Sequence, residues 1–157
     1  MKAEIGISET HSQTVALFLN QYLWNVNVLY MKVRKYHWNI EGRNFIAMHE
    51  FYETLYTEIA DAIDEIAERI RKIGHFAEGR FADYLKLTDL EEGEYSNDQN
   101  VQLSTLLADL ETIIRIVRKQ IPVIENEYKD LGTADLLTGH LRMQETWAWK
   151  VRAFLHF

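Results

Sequence analysis

The sequence predicts an all-α fold: four long helices forming a bundle, with a short extra helix in one long crossover connection. Three observations predict it. The chain of 157 residues contains one proline and seven glycines, too few for the hairpins of a sheet-rich fold. Hydrophobic residues make up 47% and charged residues 26%, which suits a chain that buries a core and argues against disorder. Four segments repeat their apolar residues at helical spacing. No stretch between them is long enough to divide the chain, so residues 1–157 read as a single domain.

The first helix runs from about Ser8 to Asn39, with Leu17, Leu23, Val26, Leu29 and Val33 among its apolar positions. Thr10 and Gln13 offer a capping box if it starts slightly later. Gly42 punctuates. The second helix runs from Asn44, an N-cap residue type, to Ile73, with Gly74 as its stop. The connection from His75 to Asn97 holds an amphipathic fragment, FADYLKL, followed by the acids Asp89, Glu91, Glu92 and Glu94. A third helix opens at Asn97 or Asp98 and runs to about Tyr128, with Pro122 inside it as a source of a kink. Thr133 is placed to cap a fourth helix that continues to about Leu155.

Composition excludes several kinds of chemistry. There is no cysteine, so disulfides, thiolate zinc sites and cysteine nucleophiles are absent. No apolar run approaches the ~20 residues of a membrane span, and MKAEIGISET lacks the basic-then-apolar pattern of a signal peptide. A cytoplasmic protein is the expectation. A net charge of -7 opposes a generic nucleic-acid binder, which needs clustered Lys and Arg to neutralise phosphates.

The second helix carries the chemistry. At 100° per residue, Phe51, Tyr52, Leu55, Ile59, Ile63, Ile66 and Ile70 share one arc and form the core face. His49, Glu53, Asp64 and Glu68 share another arc about 100° wide. His49 and Glu53 are i,i+4 neighbours, as are Asp64 and Glu68, so each pair suits one side of a metal. Glu53 and Asp64 lie about 16 Å apart along the axis, too far to share one ion within a chain. Antiparallel pairing of two copies across a two-fold axis brings His49/Glu53 of one subunit to Asp64/Glu68 of the other, twice over. His37, at the end of the first helix, joins the His49 side. Imidazoles with carboxylates suit iron(II). The same charges also describe an ordinary solvated helix face, and Glu-x-x-His, the intrachain di-iron signature, does not occur. Spacing alone leaves the two readings open.

The segment from His37 to Arg69, HWNIEGRNFIAMHEFYETLYTEIADAIDEIAER, closely resembles the signature of the Dps family, the mini-ferritins named as DNA-binding proteins from starved cells. The register comprises His37-Trp38-Asn39, His49 twelve residues on, Glu53 four later, and Asp64-Glu65-Ile66-Ala67-Glu68-Arg69. The likeness continues through Ala82–Leu87 and through TADLL, Thr133 to Leu137, into the final helix.

That resemblance implies a ferritin-like bundle assembled as a hollow dodecamer, with two-iron ferroxidase centres at two-fold interfaces. His37 and His49 would be one subunit's nitrogen ligands, and Asp64 and Glu68 of its neighbour the carboxylates. Glu53 would bind or bridge a second, weaker iron. Family members often have Asp where Glu53 stands, which bears on that site's occupancy. The implied reaction is oxidation of Fe2+, with hydrogen peroxide the preferred oxidant, and storage of ferric iron in the cavity. Trp38, Tyr36, Tyr52 and Tyr56 stand close by in sequence, as sinks for a stray oxidising equivalent or as packing aromatics.

Asp135 and Asp130 occupy the region that lines an iron-entry pore in the family, although Asp135 at a helix start also complements the dipole. His11, His75, His140 and His156 have no partners at ligand spacing and read as surface or packing residues. Family members that bind DNA often use a Lys-rich tail, whereas here Lys2 stands against Glu4 and Glu9, and the sequence ends FLHF. Weak or no DNA binding is the expectation. A DNA-compacting structural protein with incidental iron binding is the alternative, and a plain helical assembly module a third.

Overall fold

Ser8 is extended and its hydroxyl accepts the His11 backbone N–H at 3.2 Å, which starts α1 (Glu9–Asn39). Thr10 therefore lies inside the helix and the Thr10–Gln13 box does not form. A short turn leads into α2 (Phe45–Lys72). Asn44 holds the N-cap position, but its amide donates to Gln99 Oε1 at 3.0 Å and caps nothing. At the other end Gly74, at φ +98°, donates to the Arg71 carbonyl and His75 to the Ile70 carbonyl. These paired bonds close the last turn and need the left-handed conformation glycine allows.

The remaining helices are α3 (Phe81–Leu87), α4 (Gln99–Asn126) and α5 (Leu131–Leu155). The computed structural model describes residues 3–155, so the readings of Lys2 and His156 fall outside the described residues. Among those residues there is no strand, and no helix is long and apolar enough to cross a membrane. Asp98 caps α4 by accepting from Val101 at 2.9 Å. The helix continues through Pro122 to Asn126.

The start of α5 differs from the sequence reading. Asp130, not Thr133, is the cap: its carboxylate accepts the Thr133 N–H at 2.9 Å and the Thr133 hydroxyl at 2.5 Å. Thr133 is the third residue of the helix. Asp130 also binds Arg69 of α2 at 2.7 Å, and a carboxylate satisfies orphan N–H groups and a guanidinium better than a hydroxyl can.

α1 packs along α2 and α4 along α5, and the crossover carrying α3 runs over α1. Tyr22, Leu29 and Val33 of α1 meet Tyr52, Ile59 and Ile66 of α2, Leu106 and Ile113 of α4, and Leu137 and Trp147 of α5 in one core. Polar residues of α1 hold the crossover. Asn25, almost fully buried, accepts from the Thr88 hydroxyl and the Asp89 backbone and donates to the Asp89 carboxylate. Asn20 accepts the Glu78 N–H. Lys35 donates to the carbonyls of Glu92, Gly93 and Glu94.

A buried ion pair, Lys32 Nζ to Asp109 Oδ2 at 2.6 Å, ties α1 to α4. Burial pushes the Asp109 carboxyl above the usual carboxylate range, against the Lys32 ammonium that pulls it down. Such a pair adds little net stability, yet removing one partner strands a charge. Asp109→Ala should therefore cost about 3–5 kcal/mol in urea unfolding. The double variant Lys32→Met/Asp109→Leu should recover most of that loss.

Candidate metal centre

His37 is the penultimate residue but one of α1, and His49 lies in the second turn of α2. Their rings stack with centroids 3.7 Å apart and 18° between planes. His37 Nδ1 lies 2.8 Å from the His49 carbonyl, and His49 Nδ1 lies 2.9 Å from the His37 carbonyl. A carbonyl only accepts, so each Nδ1 carries the proton. In the neutral ring this tautomer leaves Nε2 with its lone pair, the form in which imidazole ligates a metal. The two bonds are reciprocal and run to backbone, so neither ring can turn without breaking one. Phe45 stacks on the outer side of His49 at 5.0 Å, and Tyr56 meets His37 edge-on at 5.3 Å.

Glu53, Asp64 and Glu68 are all exposed on α2, off its buried face. Glu68 holds Lys72 at 3.1 Å, with both side chains more than half exposed. An exposed i,i+4 pair is worth only about 0.3–0.5 kcal/mol, so Lys72 is readily displaced by a cation. Among the described residues no three His, Asp or Glu side chains come together within the chain in a metal-holding group. The structure unites His37 with His49 and leaves Asp64 and Glu68 at the far end of the same helix.

The two expected pore acids differ from each other. Asp130 is 2% exposed and its oxygens are taken up by Arg69 and Thr133. It is a structural cap, with nothing to offer a passing ion. Asp135 is exposed and lines a surface cleft of about 290 Å³ with Glu65 and His140. His140 is buried, with Nε2 2.7 Å from Glu65 and Nδ1 3.2 Å from the Tyr22 hydroxyl. Of the other histidines, His75 bonds Ser12 at 2.9 Å and His11 packs edge-on against Tyr128.

Sequence reasoning missed Arg69 as a structural residue. Its guanidinium passes so close to Gly132 that a Cβ there would meet Nη2 at 2.9 Å. Its place at the end of the Asp64–Arg69 motif was the available signal.

Residues 17–156 match the ferritin-like domain family. The chain is 35% identical to a DNA protection during starvation protein of Porphyromonas gingivalis, covering 95% of this chain and 93% of that one. It is 34% identical to DNA protection during starvation protein 2 of Bacillus anthracis, over 88% and 94% of the two chains. The structure superposes on a Dps protein from Vibrio cholerae O1, described as a member of a broad superfamily of ferritin-like diiron-carboxylate proteins. The TM-score is 0.94 at 34% identity, covering 99% of this chain and 97% of that chain. The chain belongs to the Dps family. Its ferritin-like bundle, with α3 as the short helix of the crossover, is the fold of this Dps chain, as the sequence predicted.

Burial holds the His140 imidazole below the ordinary histidine range, with Glu65 acting in the opposite direction. The unfolded chain therefore takes this proton more readily than the folded one. The contribution is present above the ordinary value of about 6.5 and declines as pH falls below it. Urea midpoints measured across about pH 5–7 should fall on the acid side, and His140→Gln should flatten that slope.

Proposed function

We propose that this protein oxidises Fe2+ with hydrogen peroxide and stores the ferric product inside a hollow homo-oligomer, a dodecamer, in the cytoplasm. The centres lie between subunits. His37 and His49 of one subunit are the nitrogen ligands, Asp64 and Glu68 of its neighbour supply carboxylates, and Glu53 holds or bridges the second iron. The observation that carries this reading is the reciprocal bonding of His37 and His49, which aims two Nε2 lone pairs from a fixed frame. A ring that merely packs has no need of a second bond fixing its tautomer.

The donor set fits iron: imidazole and carboxylate without thiolate suit Fe2+, and hard carboxylates favour the ferric product. The i,i+4 carboxylates cannot reach the histidine end of their own helix, since about 16 Å of helix axis separates Glu53 from Asp64. A two-fold axis removes that distance without any change in the chain. Two ferrous ions supply the two electrons, and the medium two protons, that turn one peroxide into two waters, so little hydroxyl radical escapes. Relatives named for DNA protection and a neighbour of the diiron-carboxylate superfamily support iron storage and protection in general. Asp135, exposed beside Glu65, is the residue we assign to iron entry.

Protection by chemistry does not require coating DNA. The charge of -7 opposes it. Duplex DNA should not be retained in a gel-shift at neutral pH and moderate salt, and tight salt-sensitive retention would favour the DNA-compacting reading.

Anaerobic addition of Fe2+ to metal-free protein, followed by hydrogen peroxide, should give soluble ferric iron co-eluting with the assembly, with two irons consumed per peroxide. Oxidation no faster than in a protein-free control, with ferric precipitate, would reduce the acidic face of α2 to a solvated surface. His37→Ala and Asp64→Ala should each lose this activity while still assembling. Mixed and co-refolded, they should regain about a quarter of the sites, because each mixed pair rebuilds one intact centre from one subunit's histidines and the other's carboxylates. No recovery in verified mixed assemblies would place the centre within single chains.

A further inference from the structure

Both ends of α2 leave large apolar side chains in solvent. Ile46, in the first turn, is 63% exposed, and Phe45 beside it is exposed although its ring stacks on His49 at 5.0 Å. Phe76, just past the stop at Gly74, is 83% exposed. Phe76 is nonetheless held in place. Its carbonyl accepts from Asn20 of α1 at 3.4 Å, and the Arg71 guanidinium lies 4.8 Å from its ring centroid. Arg71 in turn donates to the His75 carbonyl at 2.8 Å. An aromatic ring fixed in water forgoes apolar burial without gaining freedom, which marks a surface that another body covers.

The two-fold arrangement of the metal centre says which body. It sets His49 against Glu68 of the partner subunit, and Glu53 against Asp64 of the partner subunit. The same register continues past the ligands. Three residues before His49 stands Ile46, and three residues after Glu68 stands Arg71. At 100° per residue these two lie at about the same angles around α2 as Asp64 and Glu53, on the side that meets the other copy. Ile46 therefore faces the partner's Arg71, and the ring of the partner's Phe76, which lies over that guanidinium, comes against Ile46 and Phe45.

We propose that Phe76 seals the histidine end of the metal centre formed with the partner's His37 and the partner's His49, packing there on the partner's Ile46 and the partner's Phe45. The inference rests on the inter-subunit reading of that centre. With the seal in place, water and chelators reach iron only along the acidic face of α2. Excluding water beside the two imidazoles lowers the local dielectric and strengthens the hold of the carboxylates on the ion. Each chain then carries the seal with the carboxylates, so Phe76, Asp64 and Glu68 serve one centre, while His37, His49, Phe45 and Ile46 of the same chain serve the other.

The test places Phe76→Ala on one half of a centre at a time. When Asp64→Ala and His37→Ala chains are co-refolded, only mixed pairs hold an intact centre, one each. The His37→Ala chain gives that centre its carboxylates and the Asp64→Ala chain its histidines. Assemblies of verified size are loaded anaerobically with Fe2+ and stripped with ferrozine, a bulky ferrous chelator whose complex absorbs visible light. Phe76→Ala on the carboxylate-giving chain should speed stripping about tenfold, the scale of one lost ring contact. On the histidine-giving chain it should change nothing, and Phe76→Leu on the carboxylate-giving chain should restore most of the closure. Acceleration from the histidine-giving chain, or equal rates throughout, would overturn the seal and leave the shared centre standing. Mixed pairs that bind no iron would overturn both.

Discussion

Two histidine rings hold each other through the backbone of the opposite helix, and the organisation of the His37/His49 end of this bundle depends on that exchange. Each Nδ1–H ends on the carbonyl of the other histidine. The bonds therefore form only if α1 and α2 keep one axial register. That register is set by the packing of Tyr36 against Tyr52 and of Val33 and Ile59 within the core. Packing, tautomer and ring direction form one linked arrangement.

The rest of the fold supplies rigidity around that pair at low net energetic gain. The Lys32–Asp109 pair, the Arg69–Asp130–Thr133 cluster and the Asn25 network each satisfy groups that would be costly if left alone. They specify which helix faces which. Asn20, Asn25 and Lys35 hold the long crossover against α1, so a connection with a single seven-residue helix keeps a defined path. Arg69 does similar service at the other end, joining the last turns of α2 to the first turn of α5.

α2 divides its surface between two tasks. One side buries Met48, Tyr52, Leu55, Ile59, Ala62, Ile66 and Ile70, and the other leaves Glu53, Asp64 and Glu68 in reach of solvent. A straight helix cannot bring its own ends together, so a centre built from both ends, as proposed, calls for a second copy. On the proposed reading, the activity is a property of the assembled pair, while the single chain supplies two complementary halves.

Helix number, the bounds of α1, the stop at Gly74 and the core arc of α2 were legible in the sequence, because periodicity and punctuation are local and need only neighbours three or four residues away. So was the arc shared by His49, Glu53, Asp64 and Glu68, since helix geometry fixes angles along one element. Cap choice was less legible. Asp130 over Thr133 was decided by which side chain could also meet the rest of the fold, as Asp130 meets Arg69. The sequence by itself determined that this chain is a helical bundle carrying nitrogen and carboxylate donors. Only the tertiary structure decided that His37 and His49 lock each other's tautomer, that Asp130 is spent as a cap, and that Tyr56 is the aromatic laid against His37. Those outcomes depend on contacts between helices, and the spacing of residues along one helix does not contain them.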